Sequence, residues 1–198
     1  MKKKMTREEW LNKLAGKMQK QFKKHIPLLP KFRVSCGFTS AGTRGDVIGE
    51  CWFPKASEDS TTEIFIKPDQ AKPEEVAAVL CHELIHAALG PKAGHGKDFS
   101  TACKKLGLEG PATATTGGPD FLAWIKPLIK ACGPYPHAKL NAMERAPWRR
   151  KQPTKSHVNL RCPSCDYYAK TTREMLAVGR LKCPADGETL LTAKERAK

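Results

Sequence analysis

Apolar residues fall along this chain in patterns that change from one stretch to the next. Between positions 5 and 24, Trp10, Leu11, Leu14, Met18 and Phe22 recur at helical spacing among lysines, which predicts an amphipathic helix with a basic outer face. The runs KFRVSCGF (31–38), VIGECWFP (47–54) and TEIFIKP (62–68) are separated by Gly, Asp and Ser punctuation and predict three strands of a small, mostly antiparallel sheet. Pro73, Glu74 and Glu75 then open a helix that runs to Leu89, with Gly90 and Pro91 as its stop. A second helix is expected from near Asp98 to Leu106 and Gly107. A third is expected over DFLAWIKPLIKAC (120–132), where Pro127 should kink or shorten it.

From 138 to 158 the apolar rhythm is lost, and prolines and basic residues mark a linker. Residues 159–198 return to strand-like pieces around cysteines and form a candidate second module. The pattern as a whole predicts an α+β protein with a first domain over 1–137. No apolar run approaches the roughly 18 residues of a membrane span. The lysine-rich N-terminus lacks the apolar segment of a secretory signal, so a cytoplasmic, reducing setting is expected. In that setting Cys36, Cys51, Cys81, Cys103 and Cys132 read as free thiols rather than disulfide partners.

Chemistry concentrates in the helix that starts at Pro73. Its stretch VAAVLCHELIHAAL is apolar nearly all round, and apart from Cys81 its polar side chains are His82, Glu83 and His86. Burying a carboxylate between two imidazoles is costly unless a cation compensates it. Residues i and i+4 share a helix face, so His82 and His86 can aim ring nitrogens at one Zn²⁺, with Glu83 beside them as a base that is not itself a ligand. Catalytic zinc needs a third protein ligand, and His95 is the candidate, because Gly94 and Gly96 let the chain curl back toward the helix. A metzincin spacing is excluded, since it would need Gly at 89 and His at 92, where Leu89 and Lys92 stand.

The block HELIHAALGPKAGHGKDF resembles the active-site segment of SprT-like zinc metalloproteases, in which a third His followed by Gly lies a short loop beyond H-E-x-x-H. The resemblance covers residues 1–137, and GLEGPATAT together with GPYPHA (133–138) is similar to the bacterial and phage branch. It implies a zincin-like active-site helix and kinship with Spartan-type proteases, which act on proteins attached to DNA. It also implies zinc ligands His82, His86 and His95, with Glu83 as general base. An extended substrate could add to an edge of the sheet, with TEIFIKP the expected edge strand. Tyr135 and His137 could assist at an oxyanion or could simply hold a turn, and neither is assigned.

Cys162-x2-Cys165 followed by Cys183 has the spacing of a zinc ribbon, a module with which SprT-like proteins often end. A fourth Cys is missing where Cys183-Pro-Ala-Asp186 stands. Asp186 is the first choice for the fourth ligand of a structural zinc and His157 the second, while a metal-free ribbon stays open. Two zinc ions are therefore expected, one catalytic and one structural.

The charge of +15 is unevenly spread: 10 Lys/Arg against 2 acids over 1–32, 11 against 12 over 33–137, and 14 against 6 over 138–198. A neutral body with basic flanks suits a polyanion, and DNA is the expected partner. Trp148, Arg149, Arg150, Lys151 and Arg161 mix cations with an aromatic, as binders of single-stranded nucleic acid do, and Arg145, Lys155 and Lys170 add to them. Such contacts are salt-sensitive and carry little sequence preference. Three functions compete: a DNA-associated zinc endopeptidase acting on DNA-bound or DNA-crosslinked proteins, a non-catalytic nucleic-acid or transcription-associated zinc protein, and a general peptidase for acidic substrates. Glu83 favours an enzyme, because a closed structural site has no use for a base.

Overall fold

In a computed structural model the described residues are 5–26, 28–42, 46–141 and 157–196. The chain divides into two units, Met1–Arg145 and Ala146–Lys198.

The first unit opens with α1 (Arg7–Phe22), started by a capping box in which Thr6 and Glu9 satisfy each other's backbone N–H groups. Trp10, Leu11, Leu14, Ala15, Met18 and Phe22 are buried along one face. The predicted strands form as β1 (Phe32–Cys36), β2 (Gly49–Trp52) and β3 (Thr62–Ile66). Their order β1-β3-β2 differs from expectation: β3 lies in the centre, antiparallel to β2 but parallel to β1, so the sheet is mixed. Thr62, Ile64 and Ile66 are all buried, as an interior strand requires, and β1 and β2 are the edges. TEIFIKP is therefore no edge strand.

Next comes α2 (Pro73–Leu89), with Pro73 at its first turn and Gly90 as its cap. Residues Val76 to Cys81, with Leu84, Ile85 and Ala87, are buried. α2 packs against α1, β2 and β3 as well as the elements that follow: α3 (Lys97–Lys105), β5 (Thr116–Gly117) of a two-strand hairpin with β4 (Leu108–Glu109), and α4 (Pro119–Cys132). α4 runs unbroken through Pro127, against expectation. Pro127 and Ala123, whose carbonyl loses its helical partner, both face solvent, where water can take the bond. Phe121, Ile125 and Cys132 stay buried on the opposite side.

Polar side chains lock these layers. Trp10 Nε1 donates to Gly133 O at 2.9 Å, and its ring lies 4.7 Å from that of Tyr135. His137 Nε2 donates to Pro68 O at 2.8 Å, so Tyr135 and His137 serve packing here. Asn12 acts as a substitute strand for the open edge of β1. Its Nδ2 donates to Val34 O at 2.7 Å, and its Oδ1 accepts from Val34 N at 2.9 Å.

The second unit carries the hairpin β6 (His157–Arg161) with β7 (Tyr168–Thr172), followed by α5 (Arg173–Val178) and α6 (Ala193–Arg196). Its buried hydrophobic cluster is Leu160, Cys162, Cys183 and Leu190. Among the described residues no helix is long and apolar enough to cross a membrane.

Replacing Asn12 by Ala removes both partners of Val34 at once. We expect a loss of about 1–3 kcal/mol in stability, read as an earlier urea transition of the full chain followed by tryptophan fluorescence.

Candidate metal centres

One centre forms where α2 meets the loop behind it. α2 ends at Gly90 (φ 77°), and a turn through Gly94 (φ 47°), both in the left-handed region that glycine tolerates, brings His95 back over the helix face. The Nε2 atoms of His82 and His86 are 3.2 Å apart, those of His86 and His95 3.2 Å, and those of His95 and His82 3.3 Å. Three such atoms cannot all be hydrogen-bonded to one another. Each contact needs one donor and one acceptor, and in any protonation pattern of neutral rings at least one pair presents lone pair to lone pair or hydrogen to hydrogen. A tetrahedral zinc with Zn–N bonds of about 2.0–2.1 Å holds its nitrogens roughly 3.3–3.4 Å apart, so the triangle fits a bound zinc.

The surroundings prepare these rings. Phe99 of α3 is fully buried beneath all three, its ring centroid 4.8 Å from His82, 4.2 Å from His86 and 5.1 Å from His95. Burial first, then repulsion from the neighbouring rings, lowers His82 to a pKa of about 3 and His86 to about 4, which leaves both rings neutral at pH 7. Thr115, in the turn between β4 and β5, has its Oγ1 2.8 Å from His82 Nδ1. With Nδ1 protonated and donating, Nε2 presents its lone pair to the cluster.

Glu83 points the other way round α2, toward β2. It is 6% exposed, and burial, followed by the charge of Glu50, raises its pKa to about 8. β2 approaches it so closely that a Cβ on Gly49 would lie 2.7 Å from Glu83 Oε1 and 2.5 Å from Val79 Cγ1. A cleft of about 490 Å³ opens here, bounded by β2, α2 and residues 113–115, with His82, Glu83, His86 and His95 on its wall. Sequence reasoning singled out these four residues and missed Thr115, Phe99 and Gly49.

A family model matches residues 8–117, described as the SprT-like family, which takes in α1 to β5 and the three histidines. The chain belongs to the SprT-like family. No curated protein and no solved structure gives a significant match.

Beyond the matched segment, this SprT-like chain gathers a second cluster. Cys162, Cys165, Cys183 and Asp186 place one ligand atom each within 4.8 Å of one another. Cys162 Sγ is 3.2 Å from Asp186 Oδ2, and Cys165 Sγ is 3.4 Å from Cys183 Sγ. Zinc–sulfur bonds of about 2.3 Å would separate such atoms by roughly 3.5–3.8 Å, a few tenths of an ångström more than these contacts, and the donor set of three thiols and a carboxylate is that of a tetrahedral Cys₃Asp site. Two turns build it. Ser164 N donates to Cys162 Sγ in the first, and in the second Gly187 N donates to Cys183 O while Glu188 N donates to Asp186 Oδ1. Hydrogen bonds from Cys183, Glu188 N and Cys162 hold the Asp186 carboxyl down to about 2. His157 stands at the far end of the β6–β7 hairpin, opposite Thr172, and is not in the cluster.

Of the residues expected to meet nucleic acid, Trp148, Arg149, Arg150 and Lys151 lie outside the described residues with Arg145 and Lys155. Arg161 is exposed on β6, 5.8 Å over the Tyr168 ring and 4.0 Å from Asp166.

Thr115→Val should weaken zinc binding at the histidine centre about 10- to 100-fold, measured by chelator competition, with the fold intact by circular dichroism. The wild type should carry two zinc ions per chain by elemental analysis and Asp186→Ala one, whereas Asp186→Cys should retain both.

Proposed function

We propose that this chain is a zinc-dependent endopeptidase that hydrolyses peptide bonds of proteins bound or crosslinked to DNA. The observation that carries the reading is the convergence of three Nε2 atoms beside a buried carboxyl one residue along the same helix. A helix that offers two histidine ligands and a base to a cleft under a sheet edge is the zincin-like arrangement, and membership of the SprT-like family supports it.

In this mechanism His82, His86 and His95 hold the zinc, and Thr115 fixes the His82 ring so that Nε2 faces inward. When bound, zinc supplies Lewis acidity to the scissile carbonyl and to the attacking water. Glu83 takes the proton of that water and later delivers it to the leaving amine. The substrate strand runs along β2, the edge that borders the cleft, rather than along the central β3. Gly49 and Glu50 then supply the main-chain pairing surface next to the reacting bond. Cys162, Cys165, Cys183 and Asp186 hold a structural zinc that orders the second unit, whose core of Leu160 and Leu190 is too small to stand by itself.

Association with DNA is supported by the basic flanks of the chain, and Arg149, Arg150, Lys151 and Arg161 give backbone contacts without base readout, with Trp148 a stacking surface beside them. They suit single strands as well as duplex. A cytoplasmic setting accords with the free thiols.

The deciding test is cleavage of a DNA-binding protein by the zinc-loaded chain with and without DNA, beside Glu83→Gln. Glu83→Gln should keep its zinc and lose about 10²- to 10⁴-fold in rate, and wild-type cleavage should require DNA. Cleavage that ignores DNA would point to a general peptidase. Absence of cleavage with zinc and DNA both bound would sink the peptidase reading in favour of a non-catalytic zinc protein.

A further inference from the structure

The outer face of α1 carries lysines in a single stripe. Lys13, Lys17 and Lys20 on the helix and Lys24 in the turn after it are all exposed, and at helical spacing they fall within about 60° of arc. They rise over roughly 16 Å. The neighbouring helix α4 packs against α1 and adds exposed Lys126 and Lys130, one turn apart. Lys13 and Lys17 act electrostatically on Cys132, the last residue of α4, which puts the stripe beside that helix's C-terminal end.

Nothing acidic answers these charges. Among the described residues none of the six lysines forms an ion pair, and Lys24 reaches the neutral Gln21 Oε1 at 3.0 Å. The two acids of α1 sit in its first turn and are committed there: Glu8 to Arg7 at 2.8 Å, and Glu9 to the Thr6 N–H of the capping box. The stripe is thus left as a row of point charges on a rigid rod. Its apolar face is spent on the core, where Trp10, Leu11, Leu14 and Met18 are fully buried, so α1 has no apolar side to insert into a lipid surface.

We propose that the lysine face of α1, extended by Lys126 and Lys130 of α4, is a binding surface for the phosphate backbone of duplex DNA. Duplex DNA presents one negative charge per about 1.7 Å of axis with both strands counted, so a row of about 16 Å lies along a length carrying roughly ten phosphates, of which it faces a part, and lysines meet them as point charges without reading sequence. The surface belongs to the first unit and uses none of the residues from Trp148 to Lys151. It rests on the DNA-associated part of the proposed function, and its test reads binding, not cleavage.

The test uses the full chain, zinc-loaded and carrying Glu83→Gln, so that the result is independent of catalysis. Affinity for a fluorescent 20-base-pair duplex of arbitrary sequence is measured from 50 to 200 mM salt for this protein and for its K13Q/K17Q/K20Q/K24Q variant. We expect the variant to lose at least tenfold in affinity at 100 mM salt, and the slope of log K against log salt to become shallower by about 3 to 4. Lys→Arg at the same four positions should restore both. A variant with the same change in charge elsewhere on the unit, K55Q/K92Q/K104Q/K105Q, should stay within about threefold of the parent. Equal losses in the two Gln variants would reduce the effect to net charge, and unchanged affinity in the first would leave α1 a solvated face. Either result overturns the proposal, as would an absence of duplex binding with anionic vesicles bound instead.

Discussion

Three imidazole nitrogens that converge to 3.2–3.3 Å of one another can be satisfied together only by a cation, and the rest of the first unit is arranged to bring them there. The helix that carries two of them is buried on nearly every side, so its position is fixed by packing against three helices and a sheet rather than by the site. The third arrives on a loop whose two positive-φ glycines turn it back. Phe99 closes the floor, and Thr115 sets one ring's tautomer. A centre of this kind is preorganised: packing and outer hydrogen bonds, not the ligands alone, set where the three lone pairs meet.

The same burial explains the state of Glu83. In a cavity walled by Val79, Gly49 and Cys51 its charge is unfavourable, and its pKa rises to about 8. A divalent cation on the adjoining face of α2 would oppose that shift and favour the carboxylate, the form that takes a proton from water. On the proposed function, metal site and base are thus coupled through adjacent residues of one helix.

Much of this was legible in the sequence because it depends on local spacing. H-E-x-x-H places two rings on one face whatever surrounds the helix, and Gly90-Pro91 and Gly94-His95-Gly96 announce both the stop and the return. The three strands were visible as runs, but their order was not. Whether a strand lies at the edge or the centre depends on what the rest of the fold offers it, and the inward residues of β3 (Thr62, Ile64, Ile66) are no more apolar than Phe32, Val34 and Cys36 of β1, so local composition did not separate them. Thr115 was invisible for another reason: the segment PATATT offers three threonines with nothing local to separate them, and only the path of the β4–β5 turn selects the one that meets His82. The capping box at Thr6 and Glu9 was missed by sequence reasoning, although the spacing T-x-x-E carries it. Pro127 misled because its usual cost assumes a carbonyl left without a partner, and here that carbonyl faces water.

The two clusters stand in different relations to their folds. The histidine centre sits on a core with Trp10, Phe22, Phe99 and Phe121 fully buried, so the first unit has an interior that does not need the metal. The cysteine cluster is itself part of its unit's core: Cys162 and Cys183 are buried beside Leu160 and Leu190, and the backbone around them consists of two tight turns and short bridges. Removing the ion from the first would cost chemistry, whereas removing it from the second would cost structure. An aspartate can replace a cysteine in that second role because the demand is for a tetrahedral anionic ligand on a turn, and the Glu188 N–H that fixes the Asp186 carboxylate supplies the aim that a thiolate obtains from its own geometry.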